Sequence, residues 1–363
     1  MRKYIATPLH KLSGWPLLAM VLAAVFALNG ASLTVQTAGA QEFNFIQKIV
    51  NPRLTIERNR SIRDAIRRQV GKQLAPGPGG GTSEGFTDRA TGVTVTPTAD
   101  EGSALGLNAW VDGSYKHLRD RFPRRGYTGD QSSISTGLQG QLTDQILLGG
   151  LFNFSDSKTR NVFTPATSRT DNYSLAAYMG ATLTQNLVFD ASFLYTFTDN
   201  RAFDRTTGIG ASFDGETWVL NANLTGYWYL GSLRFSPNLG VSWSETQDRS
   251  YTDSGGNFFG RERTDVGTFT FGTTLAYTVA LGDGVSMEPY VSVEGEWEFE
   301  ESVHPPVVTA LPEDMRDLDA RVEGGVEFTL GKNVTLALRG EAGGLGRKRY
   351  RTVGGGGRVS VSF

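Results

Sequence analysis

From about residue 104 to the end of the chain, apolar and polar residues alternate with a period of two. In DLDARVEGGVEFTL (317–330) the even positions are apolar or glycine: Leu318, Ala320, Val322, Gly324, Val326, Phe328 and Leu330. The odd positions other than Gly325 are charged or polar: Asp317, Asp319, Arg321, Glu323, Glu327 and Thr329. Successive side chains of a strand point to opposite sides, so this stretch predicts an extended strand with two unlike faces. Twelve such segments follow one another. They begin with LGLNAWVDGSYKHL (105–118) and QSSISTGLQGQL (131–142) and end with NVTLALRGEAGGLG and GGRVSVSF. In the ninth, Val291, Val293, Gly295, Trp297 and Phe299 share one side and Glu288, Tyr290, Ser292, Glu294, Glu296 and Glu298 the other. The third fits worst, because Leu147 and Leu151 fall on its polar side.

The connections sort by parity. After the even-numbered segments they are tight (TDQ, QN, GS, LGDG, GK), whereas after the odd ones they are mostly longer, as in RDRFPRRGYTGD and SVHPPVVTALPEDMR. An even number of up-and-down strands with short turns at one end and longer loops at the other is the layout of an outer-membrane barrel with both termini in the periplasm. Each apolar face is long enough for the roughly 9–11 residues of a tilted spanning strand. With lipid on one face, every backbone group must pair within the protein, so the sheet has to close on itself. A soluble antiparallel sheet also alternates, but it has no reason to sort its turns by parity. The predicted fold is therefore all-β: a 12-stranded antiparallel transmembrane barrel over 104–363, preceded by a basic helix.

The N-terminus supports export. A basic start, MRKYIATPLHKLSGW, leads into the apolar run PLLAMVLAAVFAL and the small-residue exit Ala38-Gly39-Ala40. The run is shorter than the roughly 20 residues of a spanning helix, so 1–40 reads as a signal peptide cleaved after Ala40. Residues 41–74 form a basic helical segment, and 75–103 a linker rich in Gly, Pro, Ser and Thr. The net charge of −2 argues against a nucleic-acid binder, and the absence of cysteine excludes disulfides, thiolate metal sites and a cysteine nucleophile.

Charge divides between two parts of the chain. In RLTIERNRSIRDAIRRQVGKQL (53–74), Ile62, Ile66 and Val70 recur every four residues, with Ala65 beside them, as on one helix face. Arg60, Arg63, Arg67 and Arg68 cover much of the rest. Pro52 suits the first turn of a long helix, whereas Ser61 could cap a shorter one. The polar face of strands nine to eleven carries Glu288, Glu294, Glu296, Glu298, Asp317, Asp319, Glu323, Glu327 and Glu341 against Arg321 and Arg339. Like charges on neighbouring strands repel, and guanidinium matches carboxylate bidentately. This complementarity predicts that the basic helix lies in the barrel against the acidic wall. Two other places stay open: a solvated periplasmic helix, or a helix lying on anionic lipid. A carboxylate-lined lumen would equally serve an open cation-preferring pore.

Catalytic patterns are weak. Of the three histidines, His10 leaves with the signal and His304 sits in a Pro-rich loop. His117 follows Ser114 by three residues, which puts the two on opposite faces of a strand. No phosphate-loop, dinucleotide or metal motif stands out. GGGG (354–357) opens the last strand and reads as a bend where that strand meets the first. No catalytic residue, metal or cofactor is expected.

The chain stops at RVSVSF, with Val359, Val361 and Phe363 on one face. A terminal aromatic with alternating apolar residues resembles the strand read by the outer-membrane barrel-assembly machinery, which would then be a partner during insertion. Twelve strands in the C-terminal part of the chain, ending in Phe and preceded by a helical segment, resemble the translocator domain of autotransporters. The resemblance implies a pore threaded by a helix that joins the barrel to a passenger outside. The mature region before the barrel, 41–103, is too short for a β-helical passenger, and no Asn-Asn pair near the helix matches the self-cleavage known in some members. Other readings are a standalone porin and a surface adhesin or structural barrel acting through loops such as 119–130 and 301–316. Arg119, Arg121, Arg124 and Arg125 in the first loop could meet lipopolysaccharide, although four loop arginines are also ordinary solvated charge. The expected location is the outer membrane of a Gram-negative bacterium, and nothing in the sequence sets an oligomeric state.

Overall fold

The computed structural model describes residues 50–75, 86–87, 94–95, 106–121, 126–282, 284–304, 318–331 and 333–363. The signal segment, most of the linker, Arg124, Arg125 and Asp317 lie outside them.

A helix, α1 (Asn51–Leu74), precedes twelve barrel strands. These are β1 (Leu107–Asp120), β2 (Tyr127–Thr143), β3 (Ile146–Asn161), β4 (Ala166–Thr184), β5 (Leu187–Asp204) and β6 (Ile209–Gly226), then β7 (Leu233–Asp248), β8 (Glu262–Tyr277), β9 (Val285–His304), β10 (Asp319–Leu330), β11 (Val334–Gly343) and β12 (Tyr350–Ser362). After breaks at Tyr227 and Thr278, β6 continues through Trp228–Leu230 and β8 through Val279–Gly282. Each strand pairs antiparallel with its neighbours in sequence, and β12 returns to β1, with Val359 opposite Val111. The ring is closed, so the barrel sheet has no unpaired edge strand.

The burial pattern is inside out. Leu175 and Leu338 are 59% and 62% exposed on the outer face, while Asn153, Ser174 and Thr196 on the inner face are 0% exposed. The tight connections are 144–145, 185–186, 231–232, 283–284 and 331–333. Three of them turn on glycine with positive φ: Gly231 (59°), Gly284 (73°) and Gly331 (62°). Backbone there is left-handed, where a Cβ would clash. Both ends of the barrel meet at this tight-turn end, where the Phe363 amide donates to the Leu107 carbonyl at 2.9 Å.

At the long-loop end the strands run further than the sequence predicts. β5 reaches Asp204 and β6 starts at Ile209, which shortens that connection to 205–208. Outward residues there turn charged (Asp199, Arg201) while inward ones include apolar Ala202, Ala211 and Phe213, so the simple alternation fades although the backbone ladder continues. In the longer connection between β7 and β8, Tyr251–Thr252 pairs with Phe258–Phe259, and the Tyr251 ring stacks between Phe213 (4.5 Å) and Phe259 (4.7 Å). The last strand begins at Tyr350, so Gly354–Gly357 lie in its middle rather than at its start.

Candidate functional site

The longer version of the helix is the one formed. Pro52 lies in the first turn of α1, where its missing amide costs no hydrogen bond. Ser61 caps nothing; its hydroxyl donates to the Glu57 carbonyl one turn back, at 3.0 Å. At 24 residues and 1.5 Å per residue α1 is about 36 Å long, comparable to the roughly 30 Å of a bilayer core. It is nonetheless too charged to span lipid; among the described residues no helix is long and apolar enough to cross a membrane.

α1 has two faces, and inward-facing side chains of the strands meet both. Ile62, Ala65, Ile66, Val70 and Leu74 form one buried cluster with Trp110, Leu147, Leu151, Tyr178, Leu194 and Val219. This explains the misfit of the third strand: Leu147 and Leu151 face the helix's apolar side rather than water. Two glycines allow the approach. A Cβ on Gly71 would lie 2.0 Å from the Tyr227 hydroxyl, and one on Gly180 2.3 Å from Val70 Cγ1. Nearby, the Trp110 indole N–H donates to the Tyr178 hydroxyl, which donates to Gln139.

The opposite face of α1 meets carboxylates on β9 and β10. Arg60 donates to Glu296 at 2.5 Å and lies 3.7 Å from Asp319. Arg63 and Arg67 donate to the two oxygens of Glu294, at 3.0 and 2.8 Å. Arg68 reaches Glu323 at 3.2 Å. Above and below these, Arg53 pairs with Glu298 (2.5 Å) and Lys72 with Glu327 (2.6 Å). Arg321 on β10 bridges Asp64 (2.6 Å), Glu294 (2.9 Å) and Glu341 (3.1 Å).

Two members of the sequence-read set are engaged elsewhere. Glu288 pairs with Arg234 on β7 at 2.5 Å. Arg339 on β11 reaches across the glycine run of β12 to Asp112 on β1 at 2.6 Å. A Cβ on Gly356 would stand 2.8 Å from that guanidinium, so the run clears a path for a side chain.

Other participants escaped the sequence reading. Glu57 on α1 accepts from Arg60 (2.8 Å), Lys116 (3.1 Å) and Tyr350 (3.1 Å). Arg347, in the turn between β11 and β12, turns inward to Glu298. Two acidic residues in a basic helix look like dilution of its charge, and only the inward parity of Lys116 and Arg321 could have flagged their partners. Arg58 is buried without a carboxylate partner among the described residues and donates instead to the side-chain oxygens of Asn59 and Asn172.

The direction of α1 follows from its ends. Val50 and Leu54 cluster with Leu118, Tyr127 and Tyr350 at the long-loop end. The Leu74 carbonyl accepts from Thr182 at the tight-turn end. Beside its last turns, a bay of about 430 Å³ lies between α1 and strands that include β7 and β9, lined by Arg67, Tyr227, Arg234, Glu288 and Tyr290. Val359 and Phe363 point outward at the tight-turn end, and Val361 is half-buried.

Ser114 and His117 do point to opposite faces. His117 lies on the outside between Asp130 (2.9 Å) and Thr128 (3.4 Å). The second distance is long for a hydroxyl–imidazole bond, and no activated nucleophile results.

A model of the autotransporter β-domain matches residues 109–341. The chain belongs to the autotransporter β-domain family. Autotransporter β-domains reside in the Gram-negative outer membrane. Solved structures agree on the fold. The chain is similar to the translocator domain of the autotransporter NalP from Neisseria meningitidis (15% identity, 71% of this chain and 88% of that one, TM-score 0.59). It is also similar to the β-domain of the Bordetella autotransporter BrkA (14%, 71% and 99%, 0.58). The transport unit of the autotransporter AIDA-I from Escherichia coli matches as well (10%, 76% and 95%, 0.56). A search of curated proteins found no match. The inward residues of this barrel present one apolar and one acidic group to α1, and α1 carries the complement of each.

Proposed function

We propose that this autotransporter barrel is a non-catalytic translocator whose lumen is held by α1. The tight-turn end then faces the periplasm, and the segment before α1 meets the outer surface. The observation that carries this reading is the row of ion pairs from Arg53 through Arg60, Arg63, Arg67 and Arg68 to Lys72, each to a carboxylate on β9 or β10. A solvated periplasmic helix would need no such register, and a lipid-bound one would turn its apolar face to acyl chains rather than to Leu147 and Leu151.

The test is single-channel conductance in a planar bilayer, comparing the protein with a deletion of residues 41–81 after both are checked for folding. A small or flickering conductance that becomes large on deletion is expected. Large and equal conductance in both would sink the plug. Reversing Arg63, Arg67 and Arg68 to Glu is expected to have the same opening effect, because it places three anions against Glu294 and Glu323. The second reading, a small-solute channel, draws on the bay beside β7 and β9. Equal conductance would put it first.

A further inference from the structure

The outward face of the barrel carries a second organised charge pattern, at the long-loop end of β3, β4 and β5. Three rows lie in register across these strands. Phe154, Tyr173 and Phe197 face one another in the first, Asp156, Asp171 and Asp199 in the second, and Lys158, Arg169 and Arg201 in the third. Below the aromatic row the outward residues are apolar, from Leu175 and Met179 to Leu183 on β4. From Leu183 to Tyr173, at about 3.4 Å per residue and a tilt of about 40°, the apolar height is about 26 Å, which matches the roughly 25 Å band of an outer-membrane barrel. Four residues further along, the basic row stands about 10 Å above that band, at headgroup level.

Like charges side by side on neighbouring strands are unfavourable. One diagonal pair, Arg169 with Asp156 (2.8 Å), and two pairs along a single strand, Arg169 with Asp171 (3.3 Å) and Arg201 with Asp199 (2.7 Å), offset them. Exposed pairs of this kind add little to fold stability, so barrel stability alone gives no reason for the rows. What they do is hold cations upright above an aromatic shelf. The cations border a cleft of about 620 Å³ that Arg160 and Arg205 also line. Those two form no ion pair among the described residues; Asp130, opposite Lys158, also lines the cleft and is bonded to Tyr115 and His117, so the five cations outnumber the carboxylates around them.

We infer that this cleft binds the phosphorylated sugar head of an outer-leaflet glycolipid of the lipopolysaccharide class. Lys158, Arg160, Arg169, Arg201 and Arg205 take its phosphates, and the aromatic row underlies the sugars and the first methylenes of the acyl chains. Lys158 to Arg201 spans two strand spacings, about 10 Å, which suits two phosphates on one disaccharide better than the single phosphate of a phospholipid. The inference rests on the long-loop end facing outward. It does not depend on α1, and the conductance test leaves it untouched.

The experiment is native mass spectrometry of the folded protein in detergent, titrated with bisphosphorylated lipid A, monophosphoryl lipid A and phosphatidylglycerol. Bisphosphorylated lipid A is expected to bind most tightly. The double variant Arg160→Gln/Arg205→Gln disturbs no ion pair among the described residues and is expected to weaken binding about 25-fold, about fivefold per cation, without lowering the unfolding temperature. Arg169→Gln/Arg201→Gln should weaken it comparably; if that variant does not fold, the first still decides. Equal binding of phosphatidylglycerol and lipid A would reduce the cleft to a general anionic-lipid contact and overturn the inference. So would unchanged affinity in the first variant.

Discussion

Glu294 is where the charge network converges. Its carboxylate meets Arg63 at 3.0 Å, Arg67 at 2.8 Å and Arg321 at 2.9 Å, and it is 4% exposed. Removing one partner of a buried pair leaves the others uncompensated and costs about 3–5 kcal/mol. Glu294→Gln is therefore expected to lower the urea midpoint of the folded protein by an amount of that order, whereas Glu216→Gln, whose partner Arg249 is exposed, should barely move it. An equal, small effect for both would mean that water screens the interior pairs. The sequence identified Glu294 by its position on a polar face. It could not rank it above Glu288, because the two look alike in alternation and differ only in what stands opposite.

At the scale of the element, α1 docks by shape on one side and by charge on the other. The apolar side tolerates no extra volume at Gly180, where Val70 and Leu74 already fill the space. Gly180→Val is expected to cost the docked state about 1–3 kcal/mol through overpacking. The barrel should still form, because the new side chain points inward and no ladder hydrogen bond is lost. The readout is a rise in conductance with unchanged β-sheet circular dichroism; a closed pore would show that the helix can shift without penalty. The proposed assembly signal at the end of β12 (Val359, Val361, Phe363) is tested by deletion of Phe363, which is expected to cut insertion in cells while leaving refolding in detergent intact. Loss in both assays would make Phe363 an ordinary structural residue, held by the hydrogen bond from its amide to the Leu107 carbonyl.

For the whole molecule, taking α1 away changes the charge of the space it fills. The basic residues of α1 go; Glu294 then keeps Arg321 and Glu323 keeps the Tyr290 hydroxyl, while Glu296 loses its partners Arg60 and Arg63. The α1-deleted barrel is expected to be cation-selective, with a reversal potential in a potassium chloride gradient of the sign set by potassium. The preference should shrink toward 1 M salt, where the Debye length falls to about 3 Å. Anion preference would place the surviving Arg234, Arg339 and Arg358 in control of the pore.

Period-two patterning by itself determined the twelve strands, their faces and the parity of their turns, because a strand between lipid and a polar interior must alternate at every residue. The same pattern marked the acidic wall and the basic helix as a complementary pair. The tertiary structure alone decided which carboxylate meets which arginine, since partners such as Arg60 and Glu296 are separated by most of the chain and meet only where α1 packs against β9. It also decided that Leu147 and Leu151 belong where they are. An apolar residue on a polar face is a fault when one strand is read alone, and a contact once a helix with a matching stripe lies opposite. Lateral register across β3, β4 and β5 was likewise invisible, because the rows of aspartate and arginine exist only between strands.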